Sequence, residues 1–187
     1  KVGPGDQPES EMGPLVTREH RDRVASYLDH ATREGAEVVV DGRDGVPQGD
    51  GFFLRPSLVD GVRPGTRVYD DEIFGPLLSV LRVDTYDEAV QLVNANPYGN
   101  GVAIFTRDGG AARRFQFDVQ VGMVGVNIPI PVPVAYYSFG GWKASLFGDT
   151  HMYGPEGIQF YTRTKVVTAQ WPDPSTSTVD LGFPRSR

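Results

Sequence analysis

The sequence predicts an α/β fold, a mainly parallel sheet with flanking helices. Two observations carry that prediction. From residue 77 onward, short apolar runs alternate with amphipathic stretches in the order strand, helix, strand, helix, strand, an order that calls for right-handed crossovers. The run at 77–83 is nearly continuous rather than alternating, as expected of a strand covered on both faces. The chain has 187 residues, of which 39% are hydrophobic and 11% aromatic, so it can bury a sizeable core. A prior of roughly 150 residues per domain allows one domain, or one with an appendage.

Residues 1–14 are rich in Gly, Pro and acid and read as loop. Thr17 is a good N-cap, and Glu19 lies in the first turn, where the helix dipole favours negative charge. Val24, Leu28 and Ala31 recur at helical spacing with Tyr27 on their face, and Gly35 supplies a stop, so 17–34 is expected as an amphipathic helix. Residues 37–40 form a β-branched strand. Residues 52–59 read as another, which Pro56 assigns to a sheet edge. Thr85 and Glu88 make a capping box for a helix carrying Ala89, Leu92 and Val93. Strand 102–106, helix 111–117 and a third buried strand at 123–127 follow. Pro-studded and aromatic, Gly-rich loops then lead to Pro155, placed to open a helix through Tyr161. Residues 165–171 alternate weakly and are expected as a strand, and the tail from 172 as extended chain.

Bulk composition excludes several functions. With 18 Lys+Arg against 24 Asp+Glu the net charge is −6, contrary to the concentrated basic surface that nucleic acid requires. Arg18, Arg21, Arg23, Arg113 and Arg114 read as solvated helix faces. No apolar run approaches the roughly 20 residues of a membrane span, and these residues show no signal-peptide pattern and no Asn-X-Ser/Thr acceptor. A cytoplasmic location is the expectation. The chain has no cysteine, which excludes a disulfide framework, a thiolate metal site and a Cys nucleophile carried by these residues.

No Gly-x-Ser-x-Gly elbow, P-loop or full Gly-x-Gly-x-x-Gly occurs; Gly99-Asn100-Gly101 lacks the third glycine and precedes a strand. His20, His30 and His151 are too dispersed for a local metal motif and read as surface or capping residues. Asp70, Asp71 and Glu72 form the densest acid cluster, but consecutive acids do not converge on a metal without a Gly turn or partners. No metal site is expected, and a metal hydrolase built on that cluster has no support from a His or a second carboxylate group. Glu72 stands beside Phe74, Gly75 and Pro76. A carboxylate there can accept two ribose hydroxyls while a phenyl ring packs on a flat heterocycle; a stiff turn is the plainer alternative. The segment 138–143 has glycines at 140 and 141 where another backbone or a ligand can approach. Its flanking aromatics, Tyr136, Tyr137, Phe139 and Trp142, fit a pocket or ordinary core equally well.

Taken together, the motifs resemble the NAD(P)-dependent aldehyde dehydrogenases. Glu72-Ile73-Phe74-Gly75-Pro76 is followed in the family's order by Asn96-Pro97-Tyr98-Gly99, by 102–106, by Gly122-Met123-Val124-Gly125-Val126-Asn127 and by Phe139-Gly140-Gly141-Trp142-Lys143. The segments 127–133, 138–145, 147–149 and 157–161 look like the methylmalonate-semialdehyde group; most of the family has Ser-Gly-x-Gly-Arg-Glu where this chain reads Ser145-Leu146-Phe147-Gly148-Asp149. The resemblance implies an NAD-dependent oxidoreductase that turns malonate or methylmalonate semialdehyde into an acyl-CoA through a Cys thioester, with coenzyme A as co-substrate and loss of carbon dioxide. It assigns Glu72 to the nicotinamide ribose, Phe74 to the position of the nicotinamide ring and Phe139 to the aldehyde pocket.

No catalytic residue is assigned within the chain, since the family's nucleophile precedes the matched segment. The resemblance thus makes 1–163 the C-terminal part of a catalytic domain and 164–187 an oligomerisation strand and tail. A homo-oligomer, dimer or tetramer, is implied, and the isolated chain is expected to be inactive. The alternative is a non-catalytic, truncated module for subunit interaction, using 122–127 and the C-terminal strand as pairing edges.

Overall fold

The computed structural model describes residues 1–47, 49–171, 173 and 175. Contacts divide the chain into two compact units, Lys1–Ala89 and Val90–Arg187.

In the first unit, helix α1 (Arg18–Arg33) begins where Thr17 accepts a hydrogen bond from the His20 amide, with Glu19 in its first turn. It ends at Gly35, whose φ of 85° is a left-handed conformation that glycine adopts without a Cβ clash. The apolar stripe expected from the sequence is the buried one: Tyr27, Leu28 and Ala31 join Val59, Val62 and Val68 in one core cluster, and Val24 is also buried. Strand β1 (Glu37–Val40) pairs antiparallel with β2 (Ser57–Asp60), which pairs in parallel with β3 (Leu77–Val80); the short helix α2 (Arg67–Asp70) lies between β2 and β3 in sequence.

This three-stranded sheet corrects two expectations. The segment containing Pro56 does not form an edge strand. Its ordered part begins after the proline, at Ser57, so the missing amide costs no ladder bond and β2 is central. The run at 77–83 is strand only through Val80, and Leu78 is exposed rather than covered on both faces.

The boundary between units falls within helix α3 (Tyr86–Ala95). Glu88 donates its amide to Thr85 Oγ1, as a capping box requires, but its carboxylate reaches one residue further back, to the Asp84 amide. In the second unit, β4 (Tyr98–Gly99) pairs antiparallel with β7 (Trp142–Lys143). Strand β5 (Gly101–Ile104) pairs in parallel with β6 (Met123–Val126), and α4 (Gly109–Asp118) lies between β5 and β6 in the chain. Asp108 caps α4 by accepting from the Gly110 and Ala111 amides. Helix α5 (Gly154–Tyr161) carries Pro155 in its first turn.

The mainly parallel sheet is therefore seen in part. Strands and helices alternate as expected, but the described strands form three small sheets, with parallel and antiparallel pairings in equal number. Among the described residues, 162–171 form no strand and are exposed. A strand exists only with a neighbour to pair, and none within these residues offers an edge to it. Residues 172, 174 and 176–187, expected as an extended tail, lie outside the described residues.

Candidate functional site

Glu72 and Phe74 sit on the loop between α2 and β3, in the first unit. Glu72 is exposed, and its carboxylate makes no hydrogen bond or ion pair among the described residues. Phe74 is 79% exposed and has a φ of 54°. An L-residue in that left-handed region costs roughly 1–2 kcal/mol, and an apolar ring left in water gains nothing from burial. Both features need a reason beyond folding. A free carboxylate and an uncovered flat ring two residues apart fit a nucleoside carrying hydroxyls and a heterocycle. Asp71, by contrast, is engaged. It accepts from the Tyr27 hydroxyl at 2.8 Å and lies 3.5 Å from the Arg67 guanidinium. Burial, then the bond to Asp71, pushes the Tyr27 hydroxyl pKa up. Among the described residues no group of three or more carboxylates and histidines is placed to hold a metal ion.

Sequence reading missed a residue of α1 that touches this loop. His20 Nε2 lies 2.8 Å from the Phe74 carbonyl. That pair spans 54 positions, beyond any local pattern.

Phe139 belongs to the second unit. Its ring stacks on Tyr153 at 4.6 Å between centroids and 10° between planes. Ser138, beside it, donates its hydroxyl to Glu156 Oε2 at 2.5 Å, and the same carboxylate oxygen accepts the His151 amide at 3.0 Å. These bonds, that from Ser138 above all, hold the Glu156 carboxyl below its ordinary range. The loop glycines serve close packing: a Cβ on Gly122 would stand 1.8 Å from the Gly140 carbonyl oxygen. Lys143 anchors the far end by donating Nζ to the Asn94 and Asn96 carbonyls at 2.9 and 3.0 Å. A cleft of about 550 Å³ runs beside this loop, lined by Trp142, Lys143, Leu146, Asp149, His151 and Glu156 among others; Tyr136, Tyr137 and Phe139 do not line it. The open question of pocket or core thus resolves differently along the loop. Tyr136 and Tyr137 are exposed, Trp142 walls the cleft, and Phe139 packs on a neighbouring ring.

Comparison with known proteins shows the family. The model of the aldehyde dehydrogenase family matches residues 1–167, and the chain belongs to that family. A malonate-semialdehyde dehydrogenase of Pseudomonas aeruginosa is 56% identical over 174 residues, covering 92% of this chain and 35% of that protein. The mitochondrial, acylating methylmalonate-semialdehyde/malonate-semialdehyde dehydrogenase of Bos taurus is 49% identical, covering 95% of this chain and 33% of its own length. A Sinorhizobium meliloti structure, described as a methylmalonate-semialdehyde dehydrogenase complexed with NAD, superposes with a TM-score of 0.89 at 51% identity, over 92% of this chain and 36% of that one. The chain thus spans about a third of the length of the relatives it matches. No described helix is long and apolar enough to cross a membrane.

Proposed function

We propose that these residues form the C-terminal part of an NAD-dependent, CoA-acylating malonate- or methylmalonate-semialdehyde dehydrogenase. The observation that carries this reading is the Glu72–Phe74 pair: an unpartnered carboxylate beside an exposed ring held at positive φ, in a chain 56% identical to a malonate-semialdehyde dehydrogenase. NAD, when bound, accepts the hydride of the aldehyde. Glu72 accepts the hydrogen bonds of the nicotinamide ribose, and the Phe74 ring limits where the heterocycle can lie. Phe139, whose ring is stacked on Tyr153, gives the aldehyde pocket of the full-length protein an apolar wall. The thiol is supplied by a part of the full-length protein outside these 187 residues, since they contain no cysteine.

The acylating name of the bovine relative supports coenzyme A as acceptor of the acyl group. Assembly as a homo-oligomer through 164–187 and residence in the cytoplasm belong to the same proposal, although the bovine relative's own name places it in mitochondria.

The test is an assay of the full-length gene product with malonate and methylmalonate semialdehyde, NAD and coenzyme A, beside the 187-residue chain alone. NADH and acyl-CoA should form in stoichiometric amounts with the former and not with the latter. Free acid in place of the acyl-CoA would overturn the acylating role, and turnover by the short chain would overturn the division of labour.

A further inference from the structure

Phe139 is held on both flanks and on its face by one short stretch of chain, residues 151–156, which leads into α5. Just before it in sequence, Ser138 donates its hydroxyl to Glu156 Oε2 at 2.5 Å, and its Oγ lies 3.3 Å from His151 Nδ1. Just after it, Gly140 packs so closely on the His151 ring that a Cβ would stand 2.8 Å from Cδ2. The Phe139 ring itself stacks on Tyr153. Gly154 closes the seam. Its φ is 67°, and a Cβ there would stand 2.7 Å from the Ser138 nitrogen, so only glycine lets α5 begin this near the loop. Residues 138 and 140 and the ring between them are thus fixed by the same stretch.

The hydrogen-bond roles follow from the partners. The Glu156 carboxyl, held below its ordinary range, is ionised and only accepts, so the single Ser138 proton lies toward it. The hydroxyl oxygen then offers only lone pairs, and His151 Nδ1 carries the proton that meets them. The His151 amide donates to the same Glu156 oxygen at 3.0 Å, which closes a ring of bonds through residues 138, 151 and 156. This order excludes a nucleophilic serine. Activation requires an imidazole nitrogen that accepts the hydroxyl proton, and here the nitrogen donates. The bonds hold the loop in place and take no part in chemistry. We infer that Ser138, His151 and Glu156 are positioning residues for the Phe139 wall of the aldehyde pocket, an assignment that rests on the pocket role proposed for Phe139. They act through the backbone on either side of the ring, so the wall stands in place before the aldehyde enters and needs no ordering on binding.

The experiment uses the full-length protein and reads the KM for malonate semialdehyde and the KM for NAD, together with the ¹⁵N spectrum of His151. In alkaline solution, where the ring is neutral, wild type should show a protonated Nδ1 and an unprotonated Nε2. S138A, H151L and E156A should each raise the aldehyde KM by about three- to tenfold, the effect of a lost hydrogen bond, with the KM for NAD unchanged. S138T, which keeps the hydroxyl, should recover most of the loss, and E156Q, which keeps an acceptor oxygen, should lie between wild type and E156A. F139A should raise the same KM, and adding S138A to it should cause no further rise, because the ring through which Ser138 acts is gone. S138A removes a single oxygen and so tests the cluster even where E156A fails to fold. An aldehyde KM unchanged in S138A and E156A, an equal effect of S138A with and without the Phe139 ring, failure of the Thr rescue, or an Nε2–H tautomer would each overturn the assignment. An aldehyde KM unchanged in F139A would overturn it together with the pocket reading, whereas a KM raised in F139A and in none of the other variants refutes the positioning role alone.

Discussion

Replacing Lys143 separates two opposing contributions at one position. Its ammonium donates to the carbonyls of Asn94 and Asn96, at the C-terminal end of α3, where carbonyls lack intrahelical partners. Its own backbone sits at φ 54°, in the left-handed region. A hydrogen bond from a charged donor contributes about 1.5–3 kcal/mol. One half-buried ammonium shared between two carbonyls should stand near the lower part of that range, about 2 kcal/mol in total. The left-handed conformation costs about 1 kcal/mol for a residue with a Cβ. Lys143→Met keeps the stem and the backbone cost but loses the bonds, so it should destabilise the second unit by about 2 kcal/mol. Lys143→Gly loses the same bonds and recovers the backbone cost, and should be less harmful by about 1 kcal/mol. Urea unfolding followed by Trp142 fluorescence in a Trp171→Phe background reports on this segment directly, because the chain has two tryptophans. Exchange of the Ala144 amide, which donates to Pro97 at 3.1 Å, gives an independent readout. A Met variant within about 0.5 kcal/mol of wild type would refute the anchoring role. A Gly variant worse than the Met variant would refute the backbone cost.

Three further outcomes follow from the same geometry. Leu28→Ala removes a side chain 1% exposed at the centre of the first unit's core and should cost about 2–5 kcal/mol in a denaturant titration. Phe74→Ala and Phe74→Gly should both weaken NAD binding in the full-length protein, yet the Gly variant should be the more stable of the two by about 1 kcal/mol, since only glycine escapes the cost of φ 54°. Because the folded protein holds the Glu156 carboxyl below its ordinary range, the stability it contributes is present above the ordinary carboxylate pKa and lost as pH falls through the depressed folded value. Glu156→Gln should flatten that acid limb of a melting-temperature profile, and an unchanged limb would show that the Ser138 and His151 bonds carry no linkage.

Elements with local signals were legible in the sequence. The stripe of Val24, Tyr27, Leu28 and Ala31, with Thr17 and Gly35 at its ends, specifies α1 without reference to anything distant. Strand position was less so. Pro56 correctly signals a missing amide, but whether that amide lies within the ladder or one residue before it depends on where pairing with β3 begins, and Ser57 opposite Leu77 decides that. The two-residue strands β4 and β7 are too short for any periodicity to announce. At the site, Glu72 and Phe74 were visible because the motif is contiguous. Their support was not, since it joins positions 20, 23 and 27 to 71, 73 and 74 through His20 and Arg23, which in sequence resemble a solvated helix face, and Tyr27, which reads as part of the apolar stripe. Nor was the tie between Ser138 and Glu156, which are 18 positions apart.

Helix α5 shows what local order costs when packing is withheld. It has eight residues, none of them buried, and Ile158, Phe160 and Tyr161 are exposed. A helix that short is unfavourable in water, because nucleation fixes several residues for its first hydrogen bond and too few follow. What opposes melting here is concentrated at the ends. Pro155 presets the first turn, Glu156 is bonded to Ser138 and to the His151 amide, and Thr162 returns its hydroxyl to the Ile158 carbonyl at 2.9 Å. Amide exchange in the 187-residue chain should therefore be fast throughout α5 and slow in α1, whose face is buried, by at least about tenfold. Glu156→Gln should speed α5 further while leaving α1 unchanged. Protection of α5 equal to that of α1 would mean that end contacts alone stabilise it, and the same helix in the full-length protein should then gain nothing. If instead protection rises only in the full-length protein, the exposed apolar side chains of α5 are covered there, and the burial missing from these residues is supplied by the rest of the polypeptide.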